Sequence, residues 1–177
     1  NEVLDLYYFN KDKIDIIKQY SKDLIKFTKN YRAKLLNKID KLTRDLNSTK
    51  NMDEIRIKGE LIQANFHLAL KGDNNLECLN YYTDQIVNIP LDNRLTPIQN
   101  SEKYFKKYKK VKASIPHLNE QINDAKQELK YIYQINTQIQ NASLKDIEEI
   151  KTELMNRKLI NRSKKNVKRK VKPRPGE

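Results

Sequence analysis

Turn-forming residues are scarce in this sequence: 177 residues hold three glycines and five prolines, and tryptophan is missing altogether. That excludes a rounded domain of many short elements, whose turns depend on such residues. The apolar store is also small, with 37% hydrophobic against 33% charged residues. It is still too large and too regularly spaced for disorder. Long helices satisfy both limits, because each buries only one stripe of side chains. No apolar run approaches the roughly 20 residues of a membrane span, and no signal peptide pattern precedes the first helix, so no membrane partner is expected. Cys78 is the single cysteine, which excludes an intrachain disulfide and fits a reducing compartment. His67 and His117 are the only histidines, and neither stands at metal-ligand spacing from Cys78 or a carboxylate. With no Gly-rich phosphate loop either, no enzyme activity, metal or cofactor is expected.

What is plentiful is positive charge. The formal net charge is +13 and the isoelectric point about 9.6, which favours a polyanionic partner: nucleic acid, an anionic surface or an acidic protein. The competing reading is a helical protein with an incidental lysine bias. The first residue is not methionine, and the chain opens inside a helical pattern, so a piece of a longer protein is expected.

Residues 1–9 are apolar and aromatic and read as the end of an element that packs on something outside the chain. Residues 10–50 read as a long first helix: Ile17, Tyr20, Leu24, Phe27, Tyr31, Leu35, Ile39, Leu42 and Leu46 recur at steps of three and four. Asn51 and Glu54 predict a capping box for a helix running to about Leu70, with Gly72 as its C-terminal cap. Leu76, Cys78, Val87 and Ile89 alternate, and Thr83-Asp84 offers a turn, so 75–90 predicts a β-hairpin closed by Pro90. Thr96, Pro97 and Gln99 spell another helix start. After it two interleaved heptad series appear: Tyr104, Val111, Leu118, Ala125, Ile132 and Ile139, and Tyr108, Ile115, Ile122 and Leu129, the second continued by Asn136. That 4,3 spacing is a coiled-coil seam. Pro116 falls within it and predicts a kink, since the heptad phase continues unchanged. Ser143 begins a short helix to about residue 158, and 159–177 is a basic tail or linker. The expected fold is mainly α: a long antiparallel two-helix coiled-coil hairpin (10–50 and 97–142) with a small α+β tip, helix plus β-hairpin, at 51–96. Within the tip, Tyr81, Tyr82 and Leu91 are expected to pack on the helix carrying Leu61 and Phe66.

The chemistry-bearing cluster is Lys103-Tyr104-Phe105-Lys106-Lys107-Tyr108-Lys109-Lys110-Val111-Lys112. Tyr104, Tyr108 and Val111 belong to the seam, so Lys103, Lys106, Lys107, Lys109 and Lys110 project from the other faces, beside the tip. Such a face neutralises phosphates, and aromatics at its edge stack on unpaired bases; the plainer reading is a solvated lysine face beside core aromatics.

Four ordered segments carry a family resemblance. Lys58-Gly59-Glu60-Leu61-Ile62-Gln63-Ala64-Asn65 resembles the KGELLTAN segment of the NFACT family. Asn80-Tyr81-Tyr82, followed by Ile89-Pro90-Leu91-Asp92-Asn93-Arg94-Leu95-Thr96-Pro97, resembles its NYYD and IPLDPxLTP segments. Ser101 to Tyr108 is similar to its AQRYFKKY segment, and Leu4 to Phe9 looks like the end of its N-terminal domain. Asn93 stands where the family usually has proline, and Pro116 stands where none is expected. The resemblance implies that the chain is the coiled-coil and middle region of a cytoplasmic factor that binds large ribosomal subunits carrying stalled nascent chains. It implies contact with rRNA and a stalk-base protein, while tRNA handling and alanine tailing belong to domains outside this chain. Lys58, Gly59, Glu60, Asn65, Tyr81, Tyr82, Pro90, Leu91 and Arg94 are its motif residues in the tip. Two other readings stand beside it: a coiled coil that binds only protein, and a fragment of a fibronectin-binding adhesin, as an older name for bacterial members suggests.

Overall fold

The computed structural model describes residues 2–160; the basic tail, from residue 161 on, lies outside the described residues. The protein is mainly helical, with one small antiparallel sheet. Helix α1 is Glu2–Ser48, α2 Met52–Ala64, α3 Pro97–Gln140 and α4 Leu144–Asn156; strands β1 and β2 are Asn75–Asn80 and Gln85–Pro90. Among the described residues, no helix is long and apolar enough to cross a membrane. The chain divides into two compact units, one of Asn1–Arg32 with Lys130–Glu177 and one of Ala33–Leu129.

In the first unit the apolar stripe of α4 closes a core of Leu24, Ile135, Ile139, Ile147, Ile150 and Leu154, with Tyr20, Phe27 and Tyr131 at its margin. Helix α4 starts where the sequence places it. Ser143 Oγ accepts from the Asp146 amide at 3.3 Å, and the Asp146 carboxylate accepts from the Ser143 amide at 3.1 Å, so two orphan donors are satisfied reciprocally. Arg157 lies 3.8 Å from the Tyr131 ring centroid, and the Tyr131 hydroxyl donates to Glu153 at 2.9 Å. Ile135 belongs to neither heptad series, yet it is 1% exposed. A two-helix seam buries only two positions per heptad, whereas α4 adds a third wall that covers Ile135 as well. Contacts between α1 and α3 in this unit run in antiparallel order: Thr28 meets Asn136 and Arg32 lies over Tyr133. Of the stretch set apart at 1–9, the described residues 2–9 are the opening turns of α1, and there Val3, Leu4, Leu6, Tyr7, Tyr8 and Phe9 are exposed.

In the second unit the core is Leu61, Ile62, Ala69, Leu76, Cys78 and Ile89, joined by Ile57, Val87, Leu91 and Tyr104. The hairpin has the expected register, with Leu76 opposite Ile89 and Cys78 opposite Val87. Those pairs face the core, and the alternation leaves Leu79 and Ile86, also opposite one another, exposed. Asp84 takes φ 54° in the turn, a conformation Asp tolerates better than most residues. Leu35 and Leu42 of α1, and Ile122 and Ala125 of α3, are buried. Pro116 lies inside α3, which runs through it unbroken.

Three expectations for this unit are corrected. Asn51 makes no side-chain cap; a 3-10 turn, Thr49–Asn51, leads straight into α2, and the Met52 amide is taken by the Thr49 carbonyl. Helix α2 ends at Ala64, not near Leu70. At Asn65 the chain leaves helical geometry (φ −119°, ψ 22°): its backbone amide is shared between the Leu61 and Ile62 carbonyls at 3.0 and 3.2 Å, and its side-chain amide adds a further bond to Leu61 at 2.9 Å. Gly72, at φ 105°, serves the later turn into β1. Tyr81, Tyr82 and Phe66 are all about half exposed, because the hairpin turn and a 3-10 turn at Phe66–Leu68 carry them outward. Of that predicted packing, only Leu91 joins the core.

Candidate nucleic-acid interface

The first turns of α3 are held from below by buried polar groups. Thr96 and Gln99 cap the helix reciprocally: the Gln99 amide donates to Thr96 Oγ1 at 3.2 Å and the Thr96 amide to Gln99 Oε1 at 3.0 Å. Asn100, 2% exposed, accepts from the Asp92 amide at 2.8 Å. Its Nδ2 donates to the carbonyls of Asp92 and Thr96, both at 3.1 Å. One side chain thus ties the loop after β2 to the start of α3. Ser101, 3% exposed, donates to the Gly59 carbonyl at 2.8 Å and ties α3 to α2. The Tyr104 hydroxyl donates to the Pro90 carbonyl at 2.7 Å.

The family-motif residues prove to be joints of this assembly. Gly59 is buried, and a Cβ built there meets the Phe105 ring at 3.2 Å; α2 and α3 approach this closely because Gly59 has no side chain. Asn65 terminates α2, Leu91 fills the core and Pro90 offers the carbonyl that Tyr104 grips. Glu60 accepts from the Tyr82 hydroxyl at 2.7 Å and from Arg56 at 2.6 Å, so a chain of polar bonds links the hairpin turn to α2. Those bonds, Tyr82's first and Arg56's next, hold the Glu60 carboxyl below the usual carboxylate range. Tyr81 stacks at an angle on Tyr82, with centroids 4.8 Å apart. Lys58 is half-buried on α2.

Arg94 grips Asp92 through two bonds, Nε at 3.0 Å and Nη2 at 2.9 Å, and Lys103 adds a third at 3.2 Å. The Asp92 carboxyl is therefore held far below its ordinary value, first by the Arg94 side chain, then by the Arg94 amide and Lys103. A carboxyl whose folded pKa is depressed lends stability above its unfolded value, and loses it as pH falls through and below about 4. Melting temperature followed from pH 7 to pH 3 is expected to fall less steeply in Arg94→Gln than in the parent chain. Identical acid profiles would show that this pair carries no acid sensitivity.

All five lysines of the α3 cluster are exposed. At about 3.6 residues per turn Lys106, Lys109 and Lys110 lie on the side away from Tyr104, Tyr108 and Val111, and Lys103 and Lys107 flank that side next to Tyr104, so that the five form a broad cationic ridge. Lys106, Lys107, Lys109 and Lys110 make no ion pair, while Lys103 is partly committed to Asp92. A groove flanks the ridge on each side. One, of about 360 Å³, has Pro90, Leu91 and Tyr104 beneath Lys103 and Lys107. The other, of about 560 Å³, runs between Arg56 and Glu60 of α2 and Phe105, Lys106, Tyr108 and Lys109 of α3. The sequence reading missed Asn100, Asp92 and Arg56. Two adjacent polar residues, Asn100 and Ser101, one turn before the seam residue Tyr104, were the available signal of a buried polar joint. Among the described residues, no group of three or more His, Cys, Asp or Glu side chains is placed to hold a metal ion. His67 and His117 are exposed, and Cys78 is buried, which pushes its thiol up.

These features define a basic, mainly helical protein whose small α+β module is joined to a long lysine-faced helix. The chain belongs to the NFACT family: the family described as NFACT N-terminal and middle domains matches residues 1–173. It is 39% identical over 175 residues to Rqc2 homolog RqcH of Bacillus subtilis (strain 168), covering 98% of this chain and 31% of that protein. It is 36% identical over 162 residues to Rqc2 homolog RqcH of Streptococcus pneumoniae (strain ATCC BAA-255 / R6), covering 92% and 29%. The chain therefore spans under a third of the length of each of these relatives. Among solved structures it is similar to the C-terminal of the fibronectin/fibrinogen-binding protein from Streptococcus suis, with 25% identity, a TM-score of 0.55 and coverage of 90% of this chain and 49% of that one.

Proposed function

We propose that this chain is the docking arm of a cytoplasmic ribosome-associated quality-control factor. In this reading it acts by binding, without catalysis of its own, and contacts rRNA and a stalk-base protein of the large subunit. Handling of tRNA and alanine tailing fall to the remainder of the longer protein. The kinship with RqcH proteins supports the class of factor. The observation that carries the reading is the ridge of exposed, mostly unpaired lysines on α3, held rigidly by Asn100, Ser101 and Tyr104. A ridge of that kind attracts phosphate by counterion release. Cosedimentation with isolated large subunits across a salt series tests it: binding that weakens steadily with salt is expected, and salt-independent binding would favour a purely protein partner. The Streptococcus suis neighbour motivates a second reading, a fibronectin-binding surface, and immobilised fibronectin in the same buffers separates the two.

The arm itself is proposed to be a single antiparallel hairpin of α1 and α3. The pairings Thr28 with Asn136 and Arg32 with Tyr133 support it, because continuing their phase brings Lys41 opposite Asn123. Spin labels at those two positions, in a Cys78→Ala background at high dilution, are expected within about 25 Å, given interaxial distances near 10 Å. A separation of several tens of ångströms would rule the hairpin out.

A further inference from the structure

The groove between α2 and the first turns of α3 combines features that a plain phosphate-binding ridge does not need. Its floor is aromatic, formed by Phe105 and Tyr108. The Phe105 ring is braced against Gly59, and Lys112 Nζ lies 5.9 Å from the Tyr108 centroid, so both rings sit in fixed surroundings. Its rim carries Lys106 and Lys109, exposed and without ion pairs. On the opposite wall Arg56 and Glu60 neutralise one another at 2.6 Å. Glu102 is left as the groove's free carboxylate, exposed and making no ion pair. At about 560 Å³ the space is well beyond what one planar base requires.

We infer that this groove receives a single unpaired RNA base, stacked on the Tyr108–Phe105 floor with its phosphate on Lys106 and Lys109. Stacking on an aromatic floor accepts any base. Glu102 adds a preference, because a carboxylate accepts hydrogen bonds from amino-bearing base edges: guanine, with adjacent ring N–H and amino donors, fits it best, and uracil, which has no amino group, fits it least. The inference rests on the RNA-docking reading but goes beyond it. The ridge reads only phosphate, whereas the groove distinguishes an extruded base from a duplex and one base from another.

The test uses the whole chain and short RNA hairpins that are fully paired, or carry one bulged guanosine or one bulged uridine. The parent chain is expected to bind the guanosine bulge most tightly and the paired hairpin least. Tyr108→Leu keeps the seam position apolar but removes the stacking face. It is expected to lose about tenfold on bulged RNA, with paired-hairpin affinity and salt slope unchanged. Tyr108→Phe keeps the ring and should retain the bulged-RNA affinity, while an unchanged melting temperature and paired-hairpin affinity in Tyr108→Leu separate loss of stacking from a structural defect. Glu102→Gln should erase the preference for guanosine over uridine. Equal binding of bulged and paired hairpins by the parent, or a folded Tyr108→Leu with unaltered bulge affinity, overturns the groove while leaving the lysine ridge intact. The ridge is tested separately, in the lysine variant described below, where an unaltered salt slope and affinity would strike the docking reading instead. Displacement by an uncharged aromatic peptide, with no base preference in the RNA, would make the groove a protein-binding site.

Discussion

With Lys103, Lys106, Lys107, Lys109 and Lys110 all replaced by glutamine, the chain is expected to bind isolated large ribosomal subunits about 300-fold more weakly at physiological salt. The dependence of log affinity on log salt should become shallower by ~3. Each neutralised phosphate contributes roughly 0.7–0.9 to that slope, and about four contacts are counted, because Lys103 already spends part of its charge on Asp92. Over the interval from about 1 M to 0.15 M salt, a slope difference of ~3 amounts to about two and a half orders of magnitude. The fold should survive. All five side chains are exposed, and the buried joint rests on Asn100, Ser101 and Tyr104, which remain. Removing the Lys103–Asp92 pair costs little, because Lys103 is exposed and such pairs are screened by solvent, and Arg94 still holds Asp92 by two bonds. Lys103→Gln alone should therefore leave both slope and melting temperature nearly unchanged. A helical, folded variant that keeps the parent's slope and affinity would remove the ridge from docking and advance a protein partner.

What was legible in advance was whatever local chemistry decides alone. The Thr96-Pro97-Gln99 start and the Ser143-Asp146 start are capping boxes in the structure, because both partners lie within one turn and nothing upstream competes. The hairpin register followed from period-two alternation, which a one-residue slip would invert. The start of α2 failed for a physical reason: the 3-10 turn at Thr49–Asn51 already supplies a backbone carbonyl to the first free amide, so no side chain is needed there. Its end failed because the chain turns at Asn65, whose backbone amide is shared between the Leu61 and Ile62 carbonyls and whose side chain also bonds Leu61, local polar bonding that apolar periodicity does not register. Tyr81 and Tyr82 looked like core by composition. They are exposed because the turn carries them outward, and Tyr82 reaches α2 only through its hydroxyl. The lysine face was legible from heptad phase alone. The grooves beside it were not, since each is lined by residues distant in sequence.

The second large effect is expected at Gly59. Gly59→Val should destabilise the module by about 3 kcal/mol, read as a lowered urea midpoint, and Phe105→Ala in the same chain should recover part of the loss. Two opposing effects set the sign. A helix interior gains up to roughly 1 kcal/mol when glycine is replaced, though β-branched valine realises less of it. Against that, a bare Cβ already meets the Phe105 ring at 3.2 Å, and valine adds two methyl groups at the same point. Overpacking of this kind costs about 1–3 kcal/mol. Room for the methyls must come from turning the Phe105 ring toward the groove it lines or from moving α3, and moving α3 strains the buried Ser101 bond to the Gly59 carbonyl. Leaving those polar atoms unpaired adds a further ~1–3 kcal/mol. The steric and polar costs exceed the helix gain on any combination of these values. The double variant separates them: Phe105→Ala opens room for the valine, so the two changes should be less costly together than the sum of each alone. Strict additivity would mean that the closeness of α2 and α3 at this point is not what Gly59 secures.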